Sequence, residues 1–118
     1  MPSPVFDQPG LEVDVDQLAP ELERGSVVLV DVREPYEWDA GRIDGAVHLP
    51  LSELSARAGE LDRDATLVVQ CRIGGRSAVA AQALRQAGYD AWSLRGGILA
   101  WDASGRPLSP DGGVVADH

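Results

Sequence analysis

The chain has no lysine, one cysteine, one phenylalanine and one methionine among its 118 residues. Each shortage excludes something. Without lysine, all ten cations are arginines, set against 19 acids for a formal net charge of -9. A polyanion such as nucleic acid is therefore not an expected partner. A small anion would have to be drawn by a local field, against the overall charge. A single cysteine can form neither an internal disulfide nor a Cys cluster for zinc or iron–sulfur, and it suits a reducing compartment. No apolar run approaches the ~20 residues of a membrane span. The first ten residues show no basic segment followed by an apolar core, so the expectation is a cytoplasmic protein without membrane contact. What is present fits one globular domain: 44% of residues are apolar and 25% charged, both ordinary values. The length suffices to bury one core, and no internal repeat or second domain is visible.

One stretch carries the chemistry: Val68-Val69-Gln70-Cys71-Arg72-Ile73-Gly74-Gly75-Arg76-Ser77. An apolar β run from Thr66 delivers the only cysteine to its end, two glycines allow a tight loop, and a helical pattern follows from Ser77 to Gly88. Loop amides and a helix start present free N–H groups, and Arg72 and Arg76 add positive charge. Such a cradle suits an anion and would hold the cysteine as thiolate. A helix end alone contributes about 0.3–1 kcal/mol, and one pKa unit is worth ~1.36 kcal/mol. The helix alone would thus lower a thiol by about one unit, and several converging amides are needed for more. The plainer alternative is an inert cysteine at a strand end. An apolar site would not recruit two guanidiniums, which argues against it.

The rest of the chain alternates strands and helices. Residues 1–10 read as a flexible lead-in and 108–118 as a flexible tail, with one domain over 11–107. Leu11 to Val15 suggests a first strand. Asp16 is expected to cap a helix carrying Leu18 and Leu22, with Pro20 in its first turn and Gly25 closing it. Val27 to Val32 reads as a central strand covered on both faces. Asp31 and Arg33 at its end are candidates to shape a pocket, a structural ion pair being the preferred reading. Pro35 opens one or two helical turns holding Trp38, which either packs there or rims the pocket. Ala46 to Leu49 makes a short strand. His48 in it invites a general-base reading, but no acid or serine partner is arranged around it, and a capping role is preferred. Ser52 is expected to cap a helix through Leu54 and Leu61. Tyr89 to Leu94 is a fifth strand, and Gly96-Gly97 turns into a last helix, Ile98 to Ala103, with Trp101 in the core. Five strands alternating with helices give an α/β class with a mostly parallel sheet covered on both faces.

Four segments together resemble the rhodanese family. Cys71-Arg72-Ile73-Gly74-Gly75-Arg76-Ser77 is similar to its active-site loop, C-R-x-G-x-R-S. Asp31 to Trp38 matches D-V-R-E-x-x-E-[aromatic], Gly41 to Pro50 matches G-[HR]-I-x-G-A-x-[HN]-[IL]-P, and Leu94 to Trp101 matches L-x-G-G-[IFM]-x-x-W. The resemblance spans about residues 12–107. It implies a three-layer α/β/α fold with five strands in the order 1-5-4-2-3. It further implies a Cys71 persulfide and sulfur transfer from thiosulfate, or another sulfane-sulfur donor, to a thiophilic acceptor. That acceptor would be cyanide in vitro and a thiol or sulfur-carrier protein in the cell. Residues 72–77 would bind the substrate, Asp31, Arg33 and Trp38 would stand behind them, and no cofactor or metal is implied. A monomer is expected. Arg72, next to the nucleophile, is expected at the solvent-facing mouth, and Arg76 to fold back toward the cradle or toward an acid such as Asp31.

Two other functions use a similar cysteine loop or fold. Cys-dependent phosphatases and arsenate reductases place arginine six positions after the cysteine; here that position is Ser77, and Arg76 falls one residue early. The shorter loop is too tight for phosphate and suits one sulfur atom. A binding or sulfur-relay module without turnover is the other rival, and the intact cysteine loop argues against it.

Overall fold

The computed structural model of the chain describes residues 5–118; the first four residues of the expected lead-in lie outside these. Five strands form one sheet: β1 (Glu12–Val13), β2 (Val27–Asp31), β3 (Val47–His48), β4 (Thr66–Gln70) and β5 (Asp90–Leu94). Their order is β1-β5-β4-β2-β3, and every pairing is parallel. Parallel neighbours need crossover helices, which cover both faces. On one face α3 (Leu54–Arg57) and α4 (Gly75–Gln86) pack Leu54, Ala80, Ala81 and Leu84 against Val30, Leu67, Val69 and Ala91. On the other, α1 (Val15–Arg24) and α5 (Gly97–Ala103) pack Leu18, Ile98 and Trp101 against Leu29, Val68, Trp92 and Leu94. The small side chains of α4 let it lie close to the sheet. The short α2 (Pro35–Ala40) follows the C-terminal end of β2.

Several expected helix boundaries move. The N-cap of α1 is Asp14, not Asp16: its carboxylate accepts from the Gln17 N–H at 2.8 Å, and the Gln17 side chain accepts from the Asp14 N–H at 3.0 Å. This reciprocal box satisfies two amides, which Asp16 could not do from inside the first turn. Pro20 therefore sits beyond that turn. It is tolerated because Pro20 and Asp16 are exposed, so water can serve the carbonyl that loses its partner. Ser52 caps nothing. It lies within a 3-10 turn, Leu51–Glu53, and a second such turn, Ala58–Glu60, follows α3. The Leu51 N–H is tethered to the Val32 carbonyl at 3.0 Å, so the chain turns tightly before a regular helix can form. Finally, α4 starts at Gly75, two residues before Ser77. Gly74 in the left-handed region (φ 115°) makes the turn on its own, which places Arg76 and Ser77 in the first helical turn.

The two chain ends carry more packing than their composition suggests. Phe6 is buried edge-on against Trp92, with ring centroids 5.6 Å apart. Leu108 and Val115 pack against the α1/α5 face. Arg42 and Ser109 exchange backbone hydrogen bonds of 2.9 and 2.7 Å, and the Val114 N–H bonds the Ala40 carbonyl at 2.9 Å. The cause is lateral: isolated apolar residues in a patternless segment still find the sheet's flanks.

Candidate active site

β4 ends at Gln70, so Cys71 is the first residue beyond the C-terminal edge of a central strand, where open α/β sheets place their sites. Alternation along β4 turns Cys71 to the face of Val69, into the cluster beneath α4. Its side chain is 1% exposed. Sγ accepts from the Gly74 N–H at 3.1 Å and the Ser77 N–H at 3.4 Å, and lies 3.5 Å from Ser77 Oγ. Burial alone would push this thiol up. The Ser77 hydroxyl and the amides of Ser77, Gly74 and Ile73 outweigh burial and draw it below its ordinary value. The thiolate is thereby favoured, as reactive cysteines require.

The loop's amides face inward for a reason found elsewhere in the chain. The Ile98 and Leu99 N–H groups at the start of α5 hold the carbonyls of Cys71 and Arg72 at 2.8 and 3.1 Å. A trans peptide carries its C=O and N–H on opposite sides. Pinning the Arg72 carbonyl on α5 therefore turns the Ile73 N–H the other way, toward the sulfur. The approach is so close that a methyl group on Gly97 would collide with both carbonyls.

The arginines behave differently. Arg76 makes a two-pronged ion pair with Glu37 of α2, at 2.7 and 3.0 Å. Glu37 is fully buried, and although burial pushes its carboxyl up, Arg76 and the backbone near Glu34 hold it below its ordinary value. The acid that Arg76 meets is thus Glu37, not Asp31. Asp31 is taken by Arg33 in a fully buried pair, at 2.8 Å, and Arg33 also donates to the Gly41 carbonyl at 2.8 Å. By alternation Asp31 lies on the face of Leu29, opposite to Cys71. Arg72 is partly exposed at the mouth, 3.5 Å from Asp117, and Ile73 beside it is 62% exposed. Gly74 and Gly75 carry the turn into α4. Trp38 packs rather than standing free: its ring stacks on His48 at 4.7 Å, with the Arg42 guanidinium over it at 4.8 Å. His48 Nε2 lies 2.9 Å from the Arg33 carbonyl; a carbonyl only accepts, so this nitrogen carries the proton. That bond ties β3 to the β2 end, and none of the hydrogen bonds to Sγ involves His48.

Sequence reasoning left out three residues that build the site: Glu37, Ser93 and Gly97. Glu37 and Gly97 stand inside the family motifs, and Gly97 is legible as a turn residue, but the contacts that tie them to the cysteine loop are not. Ser93 had no signal, being a serine inside a strand. No group of three or more His, Cys, Asp or Glu residues that could hold a metal occurs among the described residues, and no helix there is long and apolar enough to cross a membrane.

Comparison with known proteins agrees with this geometry. The rhodanese-like domain model matches residues 14–104. A sulfurtransferase from Allochromatium vinosum is 39% identical over 104 residues, covering 86% of this chain and 97% of that protein. A rhodanese-related protein from Thermoplasma volcanium superposes with a TM-score of 0.79 at 32% identity, over 84% of this chain and 97% of that one. The structure of thiosulfate sulfurtransferase from Pseudomonas aeruginosa matches with a TM-score of 0.77 at 27% identity, over 84% of this chain but only 20% of that larger one. With its parallel sheet in the order 1-5-4-2-3 and one buried cysteine at the head of a Gly-Gly loop, the chain belongs to the rhodanese-like domain family.

Proposed function

We propose that the protein is a thiosulfate sulfurtransferase working through a persulfide on Cys71. The observation that carries this reading is the convergence of backbone N–H groups on one buried, acidified sulfur. The Cys71 thiolate attacks the outer sulfur of thiosulfate. A new Sγ–S bond forms, the S–S bond of thiosulfate breaks, and sulfite leaves with its electron pair. A thiophilic acceptor, a thiolate or cyanide, then attacks the terminal sulfur, and Sγ departs as thiolate, ready for another cycle. Arg72 at the mouth steers the donor dianion, and the loop amides of residues 72–76 hold the persulfide sulfur. Arg76 is tied to Glu37 and acts by keeping the loop in shape. The relatives support the class: one is a sulfurtransferase and another a thiosulfate sulfurtransferase.

Intact-mass spectrometry after incubation with thiosulfate tests the reading. A gain of one sulfur, removed by a reductant or cyanide and absent in Cys71→Ser, is expected. A chain that takes up no sulfur, or a Cys71→Ser variant that still transfers it, overturns the mechanism.

A further inference from the structure

We infer that Ser93, buried near the C-terminal end of β5, is a positioning residue that directs the Ser77 hydroxyl onto Cys71 Sγ; the inference rests on Cys71 being the working thiol. Ser93 lies beside Val69 in the sheet register and shares its face, directly under the start of α4. It is fully buried. Its hydroxyl oxygen is 2.8 Å from Ser77 Oγ, and among the described residues this is the one hydrogen bond its side chain makes.

A serine hydroxyl donates once and accepts twice. Ser77 Oγ has three neighbours: Ser93 Oγ, the Gly74 carbonyl at 3.2 Å and Sγ at 3.5 Å. If Ser77 donated to Ser93, the buried proton of Ser93 would have no acceptor, a cost of about 1–3 kcal/mol. Ser93 must therefore donate and Ser77 must accept. The proton of Ser77 is then left for the Gly74 carbonyl or for Sγ. When Cys71 carries a proton, Sγ–H donates to Ser77 Oγ, and Ser77 donates to Gly74. When Cys71 is a thiolate, Ser77 turns its proton onto the sulfur. Donation from Ser93 polarises Ser77 in both states and strengthens the second more, because charged acceptors make the stronger bond. Of the charged groups on the elements around the sulfur, Arg76 of α4 is coupled to Cys71 and paired with Glu37 of α2, and Arg72 of the loop faces Asp117 of the C-terminal segment.

The thiolate's ultraviolet absorbance, followed against pH, tests this directly. With one cysteine in the chain the signal has a single source, and Cys71→Ser supplies the blank. Ser93→Ala should raise the thiol midpoint by about half a unit, a roughly threefold loss of thiolate below it, the size of one modest hydrogen bond. Ser77→Ala should raise it further. In the Ser77→Ala background, Ser93→Ala should add nothing, and Ser93→Thr should retain the wild-type midpoint. An unchanged midpoint in Ser93→Ala overturns the inference. So does an equal shift with and without Ser77, since Ser93 would then act by packing alone. The titration needs no substrate. A normal pattern in a protein that takes no sulfur from thiosulfate sinks the proposed activity and leaves this inference standing.

Discussion

Two helices of this protein start on a glycine pair, and the two starts act oppositely on one loop. α4 begins at Gly75 behind Gly74 and aims N–H groups at Cys71 Sγ. α5 begins at Gly97 behind Gly96 and aims N–H groups at the carbonyls of Cys71 and Arg72. The first start stabilises the charge; the second turns the loop's peptides so that their amides face that charge. An anion cradle thus needs donors on its inside and acceptors for its outward carbonyls, and the chain supplies the second half 26 residues after the nucleophile, at Gly97.

The largest effect should come from breaking the second start. Gly97→Ala puts a methyl group onto the Cys71 and Arg72 carbonyls at a positive φ of 58°. Crowding and left-handed strain together cost about 4 kcal/mol, so urea unfolding should show a markedly weaker fold and sulfur transfer should disappear. A stable, active Gly97→Ala protein would show that α5 does not orient the loop.

Next in size is the tie that holds α4 from outside. Arg76→Ala strands the buried Glu37 carboxylate and should cost about 3 kcal/mol with a fall in turnover. Glu37→Gln should cost less, because Arg76 keeps 19% of its side chain in water. The pH sign follows from Glu37, whose carboxyl is held below its ordinary 4.5. Its pairing stabilises the fold fully above that value and is lost as pH falls through the lower folded value. Glu37→Gln should therefore flatten the acid limb of a stability–pH curve, and an unaltered limb would remove the pair from the stability account.

Gly74→Ala sharpens the contrast with Gly97. Its methyl would meet nothing nearer than 3.6 Å, so only the backbone at φ 115° objects. About 1–2 kcal/mol of strain is expected, with a rise of the thiol midpoint as the Gly74 N–H shifts off the sulfur. A midpoint equal to wild type would mean that the other donors suffice.

The smallest effect belongs to the charged pair at the loop mouth, the partly exposed Arg72 and the exposed Asp117. Arg72→Ala should raise the Michaelis constant for thiosulfate about two- to fivefold at low salt, and Asp117→Asn should lower it by less. Both differences should vanish at high salt, since rim charges are screened. Steady-state rates at two salt concentrations decide, and a salt-independent change would assign Arg72 a contact rather than steering.

Much of the fold was legible in the chain. The apolar run of Thr66 to Gln70 matches β4 as built, and the strand–glycine–helix pattern located the cysteine loop. Helix starts were less legible. Asp14 and Asp16 are both good caps by type, and only the Gln17 side chain, reaching back to the Asp14 amide, distinguishes them. Asp31 was a reasonable partner for Arg76 by charge. It is unavailable because Arg33, two residues on, closes over it in the dry interior.

By itself the sequence determined what depends on near neighbours: the order of strands and helices, the glycine turns, the single thiol at a strand end, and the family to which those motifs point. Periodicity and turn chemistry act over a few residues, so they can be read without a fold. The tertiary structure alone decided which distant groups serve the thiol. Glu37 meets Arg76 across 39 positions and Ser77 meets Ser93 across 16. α5 reaches the loop because β5 lies beside β4 in the sheet. These meetings follow from strand order, and strand order is fixed by which apolar faces can be buried together, a property of the whole chain that no single segment contains.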